Sequence, residues 1–110
     1  MSRKKPLVQV KVENTSNVNA LFDSGAETNI ISNEYLKQLA SSFKIKFPFL
    51  KKHSFMRCAN GSPLKVIGYT VLNVSIGPQV VRTKFAVVDQ LSPKMIIGIR
   101  TMNRNYLICL

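Results

Sequence analysis

Phe22-Asp23-Ser24-Gly25-Ala26-Glu27-Thr28-Asn29-Ile30-Ile31-Ser32 is the stretch on which the reading of this chain turns. An apolar strand, Val18-Asn19-Ala20-Leu21-Phe22, runs directly into a carboxylate. A hydroxyl residue and a glycine follow, and an apolar pair resumes at Ile30. A carboxylate so placed is projected from a strand end into a tight loop. Gly25 permits a close backbone approach that any side chain would block, and Ser24 supplies a hydroxyl to pin neighbouring backbone. The same residues also suit an Asx turn, a common structural device at strand ends. Taken alone, they leave both readings open.

The flanking sequence supplies the frame. Upstream, Val8, Val10 and Val12 alternate with Gln9 and Lys11, the pattern of a half-buried strand. Asn14-Thr15-Ser16-Asn17 predicts a turn, so that Val18 to Phe22 returns as the second strand of a hairpin. Downstream, Ser32 is placed to cap a short helix over Asn33 to Leu39, with Tyr35, Leu36 and Leu39 inward. Phe43, Ile45 and Phe47 alternate with lysines and predict a strand that ends at Pro48. Another strand runs from His53 to Cys58 into Ala59-Asn60-Gly61-Ser62, where Asn-Gly is a strong hairpin signal because both residues tolerate positive φ. A long β-rich stretch covers Leu64 to Ile76, breaks at Gly77-Pro78 and resumes from Gln79 to Val88. The apolar trio Met95-Ile96-Ile97 precedes Gly98, a helical turn is expected from Ile99 to Arg104, and Tyr106 to Leu110 reads as a closing strand. Repeats, linkers and low-complexity segments are lacking. The expectation is one mostly β domain over residues 1–110 with one or two short helices and a basic, flexible segment at residues 1–5.

Composition narrows the function classes. The chain has 110 residues, 45% of them hydrophobic, which suits a single folded domain. No apolar run approaches the roughly 20 residues of a membrane span, and the basic start leads into Pro6 without the apolar segment of an export signal. A soluble, cytoplasmic chain with no membrane contact is expected. Cys58 and Cys109 lack metal-ligand spacing and read as free thiols in a reducing compartment. His53 is the single histidine and sits beside Lys51-Lys52, so triads and metal sites built on histidine have little to use. A phosphate-binding loop at Gly25 is opposed by the charge of Glu27. Neither metal nor cofactor is implied. Sixteen Lys and Arg against five Asp and Glu give +11. That excess favours acidic partners such as nucleic acid, but it is spread along the chain and reads as a solubilising face with a weak, non-specific attraction to RNA.

The segment from Phe22 to Ser32 resembles the active-site segment of retropepsins, the aspartic proteases of retroviruses and LTR retrotransposons. The resemblance extends from about residue 6 to 105. Pro6 to Val12 is similar to the family's first strand, Ala59-Asn60-Gly61-Ser62 sits where the flap tip belongs, and Met95-Ile96-Ile97-Gly98 is similar to the second family signature. The resemblance implies a closed, barrel-like half-molecule with a flap hairpin, active as a homodimer on extended peptides or polyproteins. It implies that Asp23 is catalytic and that Ser24 and Gly25 form the active-site loop, with Ser24 bracing the dimer. Gly25, Ala26, Glu27, Thr28, the flap residues Ala59, Asn60 and Gly61, and Ile97 would meet substrate. Tyr106, Leu107, Ile108, Cys109 and Leu110 would join Ser24 in the dimer interface. A virus-like particle, within the cytoplasm, is the setting that the resemblance suggests.

Elementary electrostatics says why such a chain works in pairs. Two carboxylates share one proton around a water molecule, one activating the water and the other donating to the developing oxyanion. Like charges about 3 Å apart do not both ionise cheaply, so the pair titrates as a unit. The chain holds two aspartates, Asp23 and Asp89, and only Asp23 is followed by Ser-Gly. Under the catalytic reading the second carboxylate is Asp23 of another copy, related by a twofold axis. Two rival readings stand beside this one. A catalytically inactive or domesticated relative would keep the fold as a dimeric peptide-binding module. A basic β domain that binds nucleic acid would account for the charge and leave the Asp-Ser-Gly-Ala segment unexplained.

Overall fold

The computed structural model describes residues 7–23, 26, 28–40, 49–57, 63–89, 91 and 93–98. Within them the order is β1 (Leu7–Val12), β2 (Ser16–Asp23), β3 (Ile30–Ser32), α1 (Asn33–Ala40), β4 (Phe49–Arg57), β5 (Pro63–Ile76), β6 (Gln79–Val88) and β7 (Met95–Gly98). The strands form one sheet in the order β1-β2-β7-β3-β6-β5-β4, and an extra pairing of β1 with β5 closes six of them into a barrel. The mostly β class is borne out. The expected strand from Phe43 to Pro48, the loop at Ala59 to Ser62, the helical turn from Ile99 and the closing strand from Tyr106 lie outside the described residues.

Local chemistry accounts for the elements. In β1, Leu7, Gln9 and Lys11 are exposed while Val10 and Val12 are fully buried, as the alternation requires. The β1–β2 turn is tighter than the Asn14 to Asn17 turn that composition suggests. Glu13 and Asn14 both take positive φ, 50° and 61°, and Thr15 N–H donates to the Val12 carbonyl at 3.2 Å. Ser16 and Asn17 are therefore already in β2, paired with Val12 and Lys11. Two consecutive left-handed residues match the twist of the flanking strands. The unusual glutamate is held by its side chain, whose oxygens accept from the Asn73 backbone N–H at 3.1 Å and from Asn73 Nδ2 at 3.2 Å. Glu13 N–H in turn donates to the Asn73 carbonyl at 2.9 Å, which reinforces the β1–β5 seam.

The turn between β5 and β6 follows the sequence reading. Ile76 pairs with Gln79, and Gly77 lies at φ 57° ahead of Pro78. Along β5 the register to β6 shifts between Val66 and Gly68. This bulge bends the strand, so that its first part leaves the barrel and pairs with β4 from Ser54–Val66 to Arg57–Pro63. The hairpin expected at Asn60-Gly61 thus has both of its arms. Helix α1 starts immediately after Ser32 and buries Tyr35, Leu36 and Leu39. Among the described residues no helix is long and apolar enough to cross a membrane.

The barrel interior is filled from each of its six strands: Val10 and Val12, Ala20 and Phe22, Ile31, Leu72 and Val74, Phe85 and Val87, Met95 and Ile97, with Tyr35, Leu36 and Leu39 of α1 in the same cluster. Packing of this kind tolerates little loss of volume. Burial raises the Tyr35 phenol above its ordinary value of 10.0, while the nearby Ser16 side chain works in the other direction.

Two outcomes follow. A Cβ on Gly77 meets nothing within 4 Å, so Gly77→Ala has only backbone strain to overcome. It should lower stability by about 1–2 kcal/mol, and Gly77→Asn by less, read from urea denaturation. For Tyr35, a raised pKa in the folded state means that folding stabilises the protonated phenol. Its contribution is complete below the unfolded value and is lost as pH rises through the folded one. Wild type should therefore lose stability above about pH 10 more steeply than Tyr35→Phe, measured by thermal melts across that range.

Candidate active site

Asp23 is the last residue of β2, and its height is set by the neighbour strand. β7 runs parallel to β2 with Ala20 opposite Met95, Leu21 opposite Ile96, Phe22 opposite Ile97 and Asp23 opposite Gly98. Immediately beyond, Ala26 N–H donates to the Asp23 carbonyl at 3.2 Å, so the chain turns as soon as the strand ends. Asp23 is only 7% exposed. A carboxylate at that depth has lost most of its water and depends on the groups arranged around it.

Register decides what shares its face. Residues paired across strands point the same way, and side chains alternate along each strand. Asp23 and Leu21 therefore share a face with Ile96. Ile96 pairs with Ile30, and Ile30 with Ala86. The opposite face carries Phe22, Ile97, Met95, Ile31 and Val87, all in the barrel core. Burial agrees: Ile30, Val66, Ala86 and Val88 form a second, smaller cluster, against which Met56, Leu64, Tyr69, Leu91 and Ile96 are partly buried. Met56 and Leu64 come from the paired arms of the hairpin formed by β4 and β5. An apolar, partly open surface thus lies on the same side of the sheet as the carboxylate, and Met56 and Leu64 of the paired β4 and β5 pack against it. Phe55, next to Met56, is 68% exposed.

Several expected site residues are located by this frame, and one is corrected. Ala26, bonded to the Asp23 carbonyl, and Thr28 are both half-buried. Ser24, Gly25, Glu27, Ala59, Asn60, Gly61 and the segment from Tyr106 to Leu110 lie outside the described residues. Ile97 does not line the open surface. It is 0% exposed in the barrel core, whereas Ile96 faces the apolar cluster. An apolar run lacks alternation, so Met95-Ile96-Ile97 offers no clue to which residue points which way; the pairing of Asp23 with Gly98 supplies it.

Asn29 has no role in the sequence reading, yet it is buried at 9% exposure beside the site. Its Oδ1 accepts from Gly98 N–H at 2.9 Å, its Nδ2 donates to the Lys84 carbonyl at 3.2 Å, and its own carbonyl accepts from Ala86 N–H at 2.9 Å. A short amide just ahead of an apolar pair was the available signal, and it is a weak one.

Asp89 is exposed and follows β6. Ile96, Ile30 and Ala86 lie level across three strands. Asp23 lies beyond one end of that row and Asp89 beyond the other, a separation on the order of 15 Å along the strands. No group of three or more His, Cys, Asp or Glu among the described residues is placed to hold a metal ion. The exposed cations among these residues, including Lys11, Lys37, Arg82 and Lys94, are distributed over β1, α1, β6 and the loop before β7.

The comparisons with known proteins agree with this architecture. A family model described as "gag-polyprotein putative aspartyl protease" matches residues 8–104. Among solved structures, the EIAV protease in complex with the inhibitor HBY-793 superposes with a TM-score of 0.70 at 19% identity, covering 91% of this chain and 86% of that one. The retroviral protease-like domain of Ddi1 from Leishmania major gives a TM-score of 0.67 at 17% identity, over 94% and 78% of the two chains. The simian foamy virus (mac) protease gives 0.53 at 12% identity, over 89% and 92%. No curated protein sequence matched.

The face assignment has a direct consequence. Ile97→Ala should cost about 2–5 kcal/mol, the scale for emptying a fully buried site. Ile96→Ala should cost clearly less, because part of its side chain is already open. Urea denaturation of the two variants reads the difference.

Proposed function

The chain belongs to the retropepsin family of gag-polyprotein aspartyl proteases, and on that premise we propose that it is a homodimeric aspartic endopeptidase. It cleaves polyprotein precursors of a retroviral or retrotransposon-like element, in the cytoplasm and within virus-like particles. The observation that carries the proposal is a buried Asp23 at a strand end, on one face with an apolar cluster to which the paired β4 and β5 contribute Met56 and Leu64.

The chemistry needs two carboxyl groups over one water molecule. Asp89 lies at the far end of the strands and does not supply the second. Asp23 of a second copy does, brought across a twofold axis with Ser24 bracing the two loops. In the shared-proton state one carboxylate accepts a proton from the attacking water while the other, protonated, hydrogen-bonds the substrate carbonyl and stabilises the oxyanion. Proton transfer to the amine then breaks the C–N bond. An extended peptide lies along the cleft with its backbone bound in β fashion by the hairpin arms. The apolar surface formed by Ile30, Ile96, Met56 and Leu64 favours hydrophobic side chains beside the scissile bond.

Asp23→Asn should reduce peptide cleavage by about a thousand-fold or more, the scale for losing an essential catalytic group, and leave a dimer by analytical ultracentrifugation. Mixing wild type with an excess of Asp23→Asn should also suppress activity, because each mixed dimer holds one carboxyl group of the pair. Cleavage that survives the substitution would refute the catalytic role of Asp23. A stable monomer that still cuts would refute the shared site. The rate should show a bell-shaped pH profile with an acidic optimum, reporting the apparent values of the pair and not of either group alone.

A further inference from the structure

Asn29 occupies a gap in the sheet. β3 begins at Ile30, opposite Ile96, so its backbone ladder stops before β7 ends at Gly98. Two positions past the last pair, Gly98 N–H would lack a strand partner on that side. The Asn29 side chain takes its place: Oδ1 accepts from Gly98 N–H at 2.9 Å and Nδ2 donates to the Lys84 carbonyl of β6 at 3.2 Å. The Asn29 carbonyl also accepts from Ala86 N–H at 2.9 Å. A carboxamide has the donor and acceptor of a peptide group, and here it serves as one extra rung that ties β7 to β6 across the start of β3.

Gly98 is the residue that sits opposite Asp23. We infer that Asn29 is a positioning residue for the proposed reaction: by holding the end of β7 it sets the height and orientation of the Asp23 carboxyl group. The inference rests on the peptidase reading. The buried Gly98 N–H and the part-buried Lys84 carbonyl are both met by this one amide, and a site of this kind loses rate steeply when a reacting group is displaced by as little as about 1 Å. No peptide side chain need touch Asn29, so its loss acts on the chemical step and not on substrate binding.

The test compares wild type, Asn29→Leu and Asn29→Asp in peptide cleavage across pH, with dimerisation and folding monitored. Leu preserves the approximate volume and abolishes both side-chain bonds. It should lower kcat by about 10- to 100-fold at every pH, with KM changed by less than about threefold. Asp retains the acceptor but, when ionised, has no proton for the Lys84 carbonyl. When protonated it both donates and accepts. Asn29→Asp should therefore be impaired near neutral pH and recover toward wild type as pH falls, which adds an ionisation to its kcat profile that wild type lacks. Because a buried carboxyl also regains stability as it is protonated, the recovery counts only where folding and dimerisation, monitored at the same pH, are unchanged. A folded Asn29→Leu dimer with wild-type kcat would overturn the inference. If that variant does not fold, an Asn29→Asp profile parallel to wild type, without acid recovery, overturns it equally. These results leave the peptidase reading intact, whereas a folded wild-type dimer that cleaves no peptide overturns that reading and this inference with it.

Discussion

Four residues, Met95–Gly98, hold the molecule together by entering between two strands that are already far upstream in the chain. β7 runs parallel to β2 and antiparallel to β3. It closes the gap between the N-terminal hairpin and the rest of the sheet. Met95 and Ile97 fill the barrel from this strand while Ile96 faces the other way. These pairings span most of the chain and repay the loop-closure entropy only when formed together. The candidate site is made by the same event, since Asp23 takes its level from Gly98. Barrel closure and site geometry are one constraint.

The division of the sheet into two faces then separates the core from the candidate site. The inward face is packed to full burial and provides stability. The outward face near Asp23 is apolar but not sealed, because the β5 bulge carries the first part of that strand away to pair with β4. Asp23 is buried at the end of β2 on this same face, level with Gly98 of β7. In the proposed dimer, a second copy would add the other carboxyl without any need for a second motif in the chain.

Two polar contacts among the described residues reinforce the sheet where its strands end. Glu13 and Asn73 fasten β1 to β5 at one place in the barrel. Asn29 fastens β6 to β7 at another. Both use side-chain groups to satisfy backbone positions where the strand ladder gives out, the requirement that buried peptide groups impose. Glu13 accepts left-handed backbone for this purpose, a conformation that its side chain type seldom adopts.

The sequence by itself determined what depends on neighbours along the chain. Alternation marked β1, Gly77-Pro78 marked the β5–β6 turn, the spacing of Tyr35, Leu36 and Leu39 marked α1, and Asp23-Ser24-Gly25-Ala26 marked the candidate site. It misjudged the first turn by two residues, because Ser16 and Asn17 have turn composition but are claimed by pairing with β1. Tertiary structure alone decided the faces of Met95-Ile96-Ile97, where an unbroken apolar run has no period to read. It also decided the importance of Asn29, whose partners at Gly98 and Lys84 are distant in sequence. Periodicity and turn chemistry are local properties, whereas strand register and the satisfaction of buried hydrogen bonds are set only when the barrel closes.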